Sequence, residues 1–394
     1  MVAHEATSTL IVAQIDTQQL LSCRSQRSVI PSRGAVVARA NEGPLPPWRD
    51  MNEGIPGTGR RLFADALVRR ATDGGQWAWL ARRVAAPVRI AVHGRPGVGV
   101  ATVRAALVAV GLDILDASVG SSGAGEADIG IRVVAEVAKP EDAGLPFALA
   151  VLNKADLTGF GPGGPLVTAS RRAVSVAGLL GAPTEPMVAL LAVAALDPAV
   201  LDDTLIDALR ILVGEPADLR SPDDFLTCTH RLSREVRQRL VDSLDLFGIA
   251  HSVVTLRANR LADVIQVRAE LRRVSRIDEV LDRIAPLIAE AGYRRVLAVV
   301  DELQVPAITD TEIATFLAAD DTVLARMAAA VDVVAAAGLR VDPADDATAH
   351  LIRAVHWRRL AAGPLGALHR DCATAIARGS LRLLAATAGP GCAA

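Results

Sequence analysis

The chain reads as an α/β domain built on a parallel sheet, followed by an α-helical bundle, and three observations predict that class. Arg89-Ile90-Ala91-Val92-His93 is a short strand that runs into a glycine loop from Gly94 to Gly99 and then into an apolar helix, Val103 to Val110. A second apolar run, Phe147 to Leu152, stops abruptly at the polar tetrad Asn153-Lys154-Ala155-Asp156. Beyond Val213 the glycine-rich alternation ends and long stretches of 3.6-residue periodicity begin. At 394 residues the chain exceeds the roughly 250–300 over which one hydrophobic core grows, so two or three domains are expected.

Taken in order, residues 1–55 are broken by Pro44, Pro46, Pro47 and Gly54 and read as a disordered extension, with Met51 as an alternative start of the regular sequence. Residues 56–86 form a helical lead-in carrying Leu62, Phe63, Ala66, Leu67, Trp77 and Trp79, expected to pack on the sheet domain, the two tryptophans serving as core or interface anchors. The sheet domain spans 87–215. Within it Asp113-Ile114-Leu115-Asp116 and Ile129 to Val137 read as further strands, and Pro186-Met187-Val188-Ala189-Leu190 as a late loop. The helical domain covers 216–394. Phe225, Leu232, Val236, Leu240, Leu244 and Phe247 are placed as one stripe on one helix, and Ile277, Val280, Leu281, Ile284, Leu287 and Ile288 mark a second. Thr309-Asp310-Thr311-Glu312 reads as a capping box, Val323 to Val334 as the next helix, and Ala347 to Leu384 as two more, broken near Gly363-Pro364.

The chemistry lies at the two ends of one expected site. An Asp placed like Asp156 accepts both the N1–H and the 2-amino group of guanine, donors that adenine lacks, while Asn153 and the stem of Lys154 fix and cover the base. Only Lys139 and Lys154 are lysines among the 42 basic residues, so this position keeps a side chain that the rest of the chain replaces with arginine. At the other end, backbone N–H groups of the loop at Gly94, Gly97 and Gly99, with the helix N-terminus at Thr102, can cradle a phosphate.

Together these residues resemble the P-loop GTPases: strand, glycine loop and helix in order, then Asn-Lys-x-Asp after a buried strand, then a final loop in which Val188-Ala189 stands where the family has Ser-Ala. The resemblance implies an α/β P-loop NTPase-like fold over residues 87–215 that binds GDP or GTP through Gly94, Gly97, Gly99, Thr102, Asn153, Lys154, Asp156 and Ala189. The departures matter as much. Val100-Ala101 replaces the Lys-Ser/Thr that reaches the β/γ-phosphates and holds Mg²⁺; the family's Asp-x-x-Gly becomes Asp116-Ala117-Ser118-Val119-Gly120; the first switch has no counterpart. A degenerate domain without GTPase catalysis, a pseudo-GTPase, is therefore expected, with Mg²⁺ deprived of its hydroxyl ligand. The order of head and helical bundle is similar to dynamin-like bacterial GTPases, which act on membranes or assemblies. That architecture implies a regulatory protein whose helical part engages a protein partner, such as another GTPase-like subunit, with peripheral membrane contact as a further option. A nucleotide-free interaction scaffold and a GTPase completed by a partner chain are the alternatives.

Composition narrows the classes. A net charge of −2 gives no basis for nucleic-acid binding, and clusters such as Arg358-Arg359 or Arg272-Arg273 with Arg276 are expected to be solvated helix faces. Apolar stretches such as Met187 to Leu196 fall short of the ~20 residues of a membrane span, and the N-terminus has no basic-then-apolar signal pattern, so a cytoplasmic protein is expected. Cys23, Cys228, Cys372 and Cys392 form no Cys-x-x-Cys pair and read as free thiols. His356, His369, Asp371 and Cys372 have metal-ligand chemistry without convincing spacing, and no nucleophile-and-base motif is evident.

Overall fold

A computed structural model describes residues 58–71, 75–115, 127–144, 146–159, 161–259 and 263–387. The expectations for residues 1–55, for Asp116 to Gly120 and for Cys23 and Cys392 lie outside these residues.

The described chain opens with helices α1 (Thr58–Val68) and α2 (Gln76–Ala85). The alternating part follows: β1 (Arg89–Gly94), α3 (Val100–Ala109), β2 (Asp113–Ile114), β3 (Ile129–Ala135), β4 (Leu149–Asn153), α4 (Pro165–Leu180) and β5 (Thr184–Pro186). Helices then continue: α5 (Ala189–Leu196), α6 (Asp203–Gly214), α7 (Pro222–Thr227), α8 (Arg234–Ala258), α9 (Val264–Ser275), α10 (Ile277–Gln304), α11 (Thr311–Ala318), α12 (Asp320–Ala336), α13 (Ala347–Ala361) and α14 (Ala367–Thr387).

The chain forms two compact units, and among the described residues they divide at 88/89 and again at 283/284. The first, Arg89–Arg283, is an α/β unit around a five-stranded parallel sheet of order β2-β1-β3-β4-β5. Its strands are apolar on both faces, as strands covered by crossover helices must be: Ile90, Val92, Ile131, Val133, Val151 and Leu152 are all buried. Val92 pairs with Ile131 and Val133 with Val151, which aligns the carboxyl ends of β1, β3 and β4. From β1 the chain goes outward to β2, then returns past β1 to β3. The order therefore reverses between β1 and β3, and open α/β sheets take ligands at the carboxyl ends of the strands beside such a reversal.

Helices α5 to α9 complete this unit around Leu191, Leu205, Leu209, Phe225, Leu240, Leu244 and Leu271. Here the division differs from the expected one. The sequence places residues 216–283 in the helical domain, whereas their apolar faces close on α5 and α6. The stripe from Phe225 to Phe247 is likewise not one helix. Phe225 belongs to α7, which is capped by Ser221, whereas Val236 onward belongs to α8, whose own cap Ser233 accepts from the Val236 N–H.

The second unit joins α1 and α2 to the chain from Ile284 onward. Phe63, Leu67, Leu80 and Val84 share a core with Tyr293, Phe316, Met327 and Ile376, so the helical lead-in packs on the C-terminal helices and not on the sheet as expected. The reason is steric as well as hydrophobic. A Cβ on Gly59 would lie 2.2 Å from the Ala329 amide nitrogen, so α1 meets α12 backbone to backbone, and the Gly59 N–H donates to Asp332 Oδ2 at 3.0 Å. The capping box shifts by one residue: Asp310, not Thr309, caps α11 by accepting from the Glu312 and Ile313 amides. Trp77 packs edge-on against Phe316, whereas Trp79 is half exposed beneath the Arg83 guanidinium. Among the described residues no helix is long and apolar enough to cross a membrane.

Candidate functional site

Strand β1 delivers the glycine loop to the sheet's carboxyl edge, and β4 delivers the tetrad beside it. The loop turns through left-handed backbone at Gly97 (φ 85°) and Gly99 (φ 87°), the latter serving as the N-cap of α3. At Gly99 two constraints coincide: the positive φ favours glycine, and an added Cβ would lie 2.3 Å from Nδ2 of Asn153. That contact is the centre of the site. Asn153 is 3% exposed; its Nδ2 donates to the Val98 carbonyl at 2.9 Å and its Oδ1 accepts from the Ala189 N–H at 3.1 Å. One amide thus ties the glycine loop, the end of β4 and the start of α5 together.

Lys154 follows in left-handed backbone (φ 57°), which turns its side chain back over the loop, where Nζ donates to the Gly97 carbonyl at 2.9 Å. A non-glycine residue in this region costs roughly 1–2 kcal/mol, which the surrounding contacts must offset. Asp156 is 9% exposed, and its carboxyl pKa is pushed up to about 6. Burial is the main cause; the carboxylate of Asp245 adds to the rise, while a backbone hydrogen bond and Lys154 oppose it. Asp245 sits at a break inside α8 with φ 52° and ψ 175°. The break is held beside the tetrad because α8 packs tightly on α5: a Cβ on Gly248 would lie 2.4 Å from Leu191 Cδ2.

At the glycine loop, Val100 packs onto the loop, its Cγ2 2.8 Å from where a Gly94 Cβ would be, and Ala101 is exposed. Thr102 is half-buried within the first turn of α3, with no hydrogen bond from its hydroxyl among the described residues. Arg95, the loop's own cation, is turned away. Its Nε bonds to Asp142 Oδ1 at 2.9 Å, and one terminal nitrogen donates to the Val137 carbonyl. Burial by itself would raise the Asp142 carboxyl, but Arg95 and the Lys139 amide hold it below the usual range.

The structure therefore gathers Gly97, Gly99, Asn153, Lys154, Asp156 and Ala189 at one edge of the sheet, with Gly94 at the base of the loop. Sequence reasoning missed Asp245, which lies 89 positions beyond Asp156 and has no motif to announce it. It also left open where Arg95 points. The remaining candidates are occupied elsewhere: Asp371 accepts from Tyr293 Oη at 2.6 Å and from Arg326 at 2.9 Å, and Cys372 is buried, its thiol pushed up to about 12. Arg272, Arg273 and Arg276 each pair with a carboxylate, on Asp278, Glu270 and Glu279. No family model, no curated protein and no solved structure matches the chain.

Proposed function

We propose that the α/β unit is a degenerate P-loop GTPase domain that binds guanine nucleotides, GDP or GTP, without hydrolysing them, and that it regulates a protein partner. The observation that carries this reading is the double hydrogen bonding of Asn153, which joins the glycine loop to Ala189, together with Lys154 on the loop and Asp156 beside it. Three segments far apart in sequence meet where a nucleotide would need its base and its phosphates held at once. Asp156 is the group that would select guanine, and the loop amides at Gly97 to Gly99 would meet the phosphates. With Val100 and Ala101 in place of the ammonium and the hydroxyl, the loop offers phosphate only backbone dipoles and gives Mg²⁺ no ligand of its own. This supports binding without catalysis.

A second reading, a nucleotide-free interaction scaffold, is favoured by one observation. Asp156 is nearly closed off and lies under the influence of the Asp245 carboxylate, so a base must displace something to reach it. Titration of the purified chain with fluorescent GDP and ADP decides between the two. The nucleotide reading expects at least about a tenfold preference for GDP, on the scale of one charge-assisted hydrogen bond; equally negligible signals leave the scaffold.

A further inference from the structure

We propose that the helical unit carries a second ligand site, for a small monocarboxylate with an apolar tail. The site is a cavity of about 350 Å³ between α1, α10, α11, α12 and α14, at the small end of the roughly 300–1,000 Å³ of ligand pockets. Its walls are apolar, with Phe63, Val300, Leu317 and Val323 among them, and no acidic residue lines it. Gln304 and Thr374 also line it, and three further polar groups, Thr322, Arg326 and Arg378, give it chemistry. Thr322 lies in the first turn of α12 and is only 4% exposed, yet its hydroxyl makes no hydrogen bond among the described residues; the cavity it lines is where a partner can reach it. That oxygen opens to the cavity, whereas the Nε of Arg326, on the same wall, is closed off with no hydrogen-bond partner among the described residues; buried donors are ordinarily bonded, so this one points to a ligand acceptor. Arg378 is exposed at the same cavity and has no ion pair among the described residues.

The charge count selects the ligand. The other lining cation, Arg326, is held by both oxygens of Asp371, at 2.9 and 3.0 Å. The two acids that open α12 are also paired, Asp320 with Arg382 and Asp321 with Arg69, each at 3.3 Å. One unpaired guanidinium beside one donating hydroxyl fits a single carboxylate, and the apolar walls fit its tail. A phosphate dianion would bring a charge that the site does not balance.

Isothermal titration of the full chain with decanoate and with decan-1-ol, both below their aggregation limits, tests the assignment. Decanoate should bind, and decanol at least tenfold more weakly. Arg378→Gln should weaken decanoate about tenfold or more while leaving decanol unchanged, since one charge-assisted contact is lost and the apolar walls are kept. Ala375→Phe, which fills the cavity, should abolish both. Should that buried change disturb folding, the exposed Arg378→Gln still decides. No decanoate binding by the natural chain, equal affinity for the alcohol, or an Arg378→Gln variant that binds decanoate as tightly as the natural chain would each overturn the site.

Discussion

Gly99, Asn153 and Asp156 show how few residues hold the proposed site, and why some were legible from sequence. The tetrad and the glycine loop announce themselves because their geometry is local: left-handed backbone at Gly97, Gly99 and Lys154 restricts which residues can stand there. The partners of Arg95 and Asp156 are set by long-range packing, which no spacing encodes. Asp156 yields a pH prediction. Its folded pKa of about 6 lies above the ordinary aspartate value of 3.8, so the folded chain holds the proton more tightly than the unfolded one, and stability falls as pH rises from about 4 to 6. A rise of about two units corresponds to roughly 3 kcal/mol at most. Asp156→Asn should therefore gain about 1–3 kcal/mol in urea denaturation at pH 7.5 and nothing below pH 4; a loss at pH 7.5 would mean that the carboxylate is held by favourable partners. Under the proposed function, Val100→Lys with Ala101→Ser should raise GTP affinity by about tenfold and leave turnover negligible, because Asp116-Ala117-Ser118-Val119-Gly120 departs from the Asp-x-x-Gly that the resemblance implies. An unchanged affinity would show that the loop no longer has a phosphate-binding shape.

At the scale of elements, the strands and most helices follow from periodicity and caps. Asp202, Ser221, Ser233, Asp263, Asp310 and Asp346 each accept an amide at a helix start, and most of those starts sit within the expected helical stretches. Helix α8 is the instructive exception. Its apolar stripe carries straight through Asp245, so periodicity alone predicts an unbroken helix, while the backbone there adopts φ 52° and ψ 175°, a region that is essentially glycine's own. Three residues beyond the break lies the close approach of Gly248 to Leu191, a packing constraint invisible in the stripe. Asp245→Gly should relieve strain of roughly 1–3 kcal/mol and remove a like charge from Asp156, against about 1 kcal/mol for the entropy of glycine. A higher urea midpoint is expected, with the Asp156 pKa moved down by NMR titration. The ordinary cost of a glycine within a helix, with no change at Asp156, would contradict this account of the kink.

For the whole molecule, the sequence supported an α/β part and a helical part, and both are present, but the boundary between them was misplaced. Helices distribute themselves by which apolar faces fit, and a periodic stripe records that a face is buried without recording against what. Hence α7 to α9 close on the α/β unit while α1 and α2 complete the helical unit, with the division falling inside α10, three residues before Pro286. The central claim concerns the α/β unit: that it keeps a guanine-selective site after losing phosphate chemistry. The most direct measurement is equilibrium binding of fluorescent GDP and ADP to the full chain and to Asp156→Ala at pH 7.5, where the Asp156 carboxylate is ionised. The account predicts that the natural chain prefers GDP by about tenfold or more and that Asp156→Ala binds both nucleotides alike. A natural chain that does not distinguish the two, or an Asp156→Ala variant that keeps the preference, would contradict it.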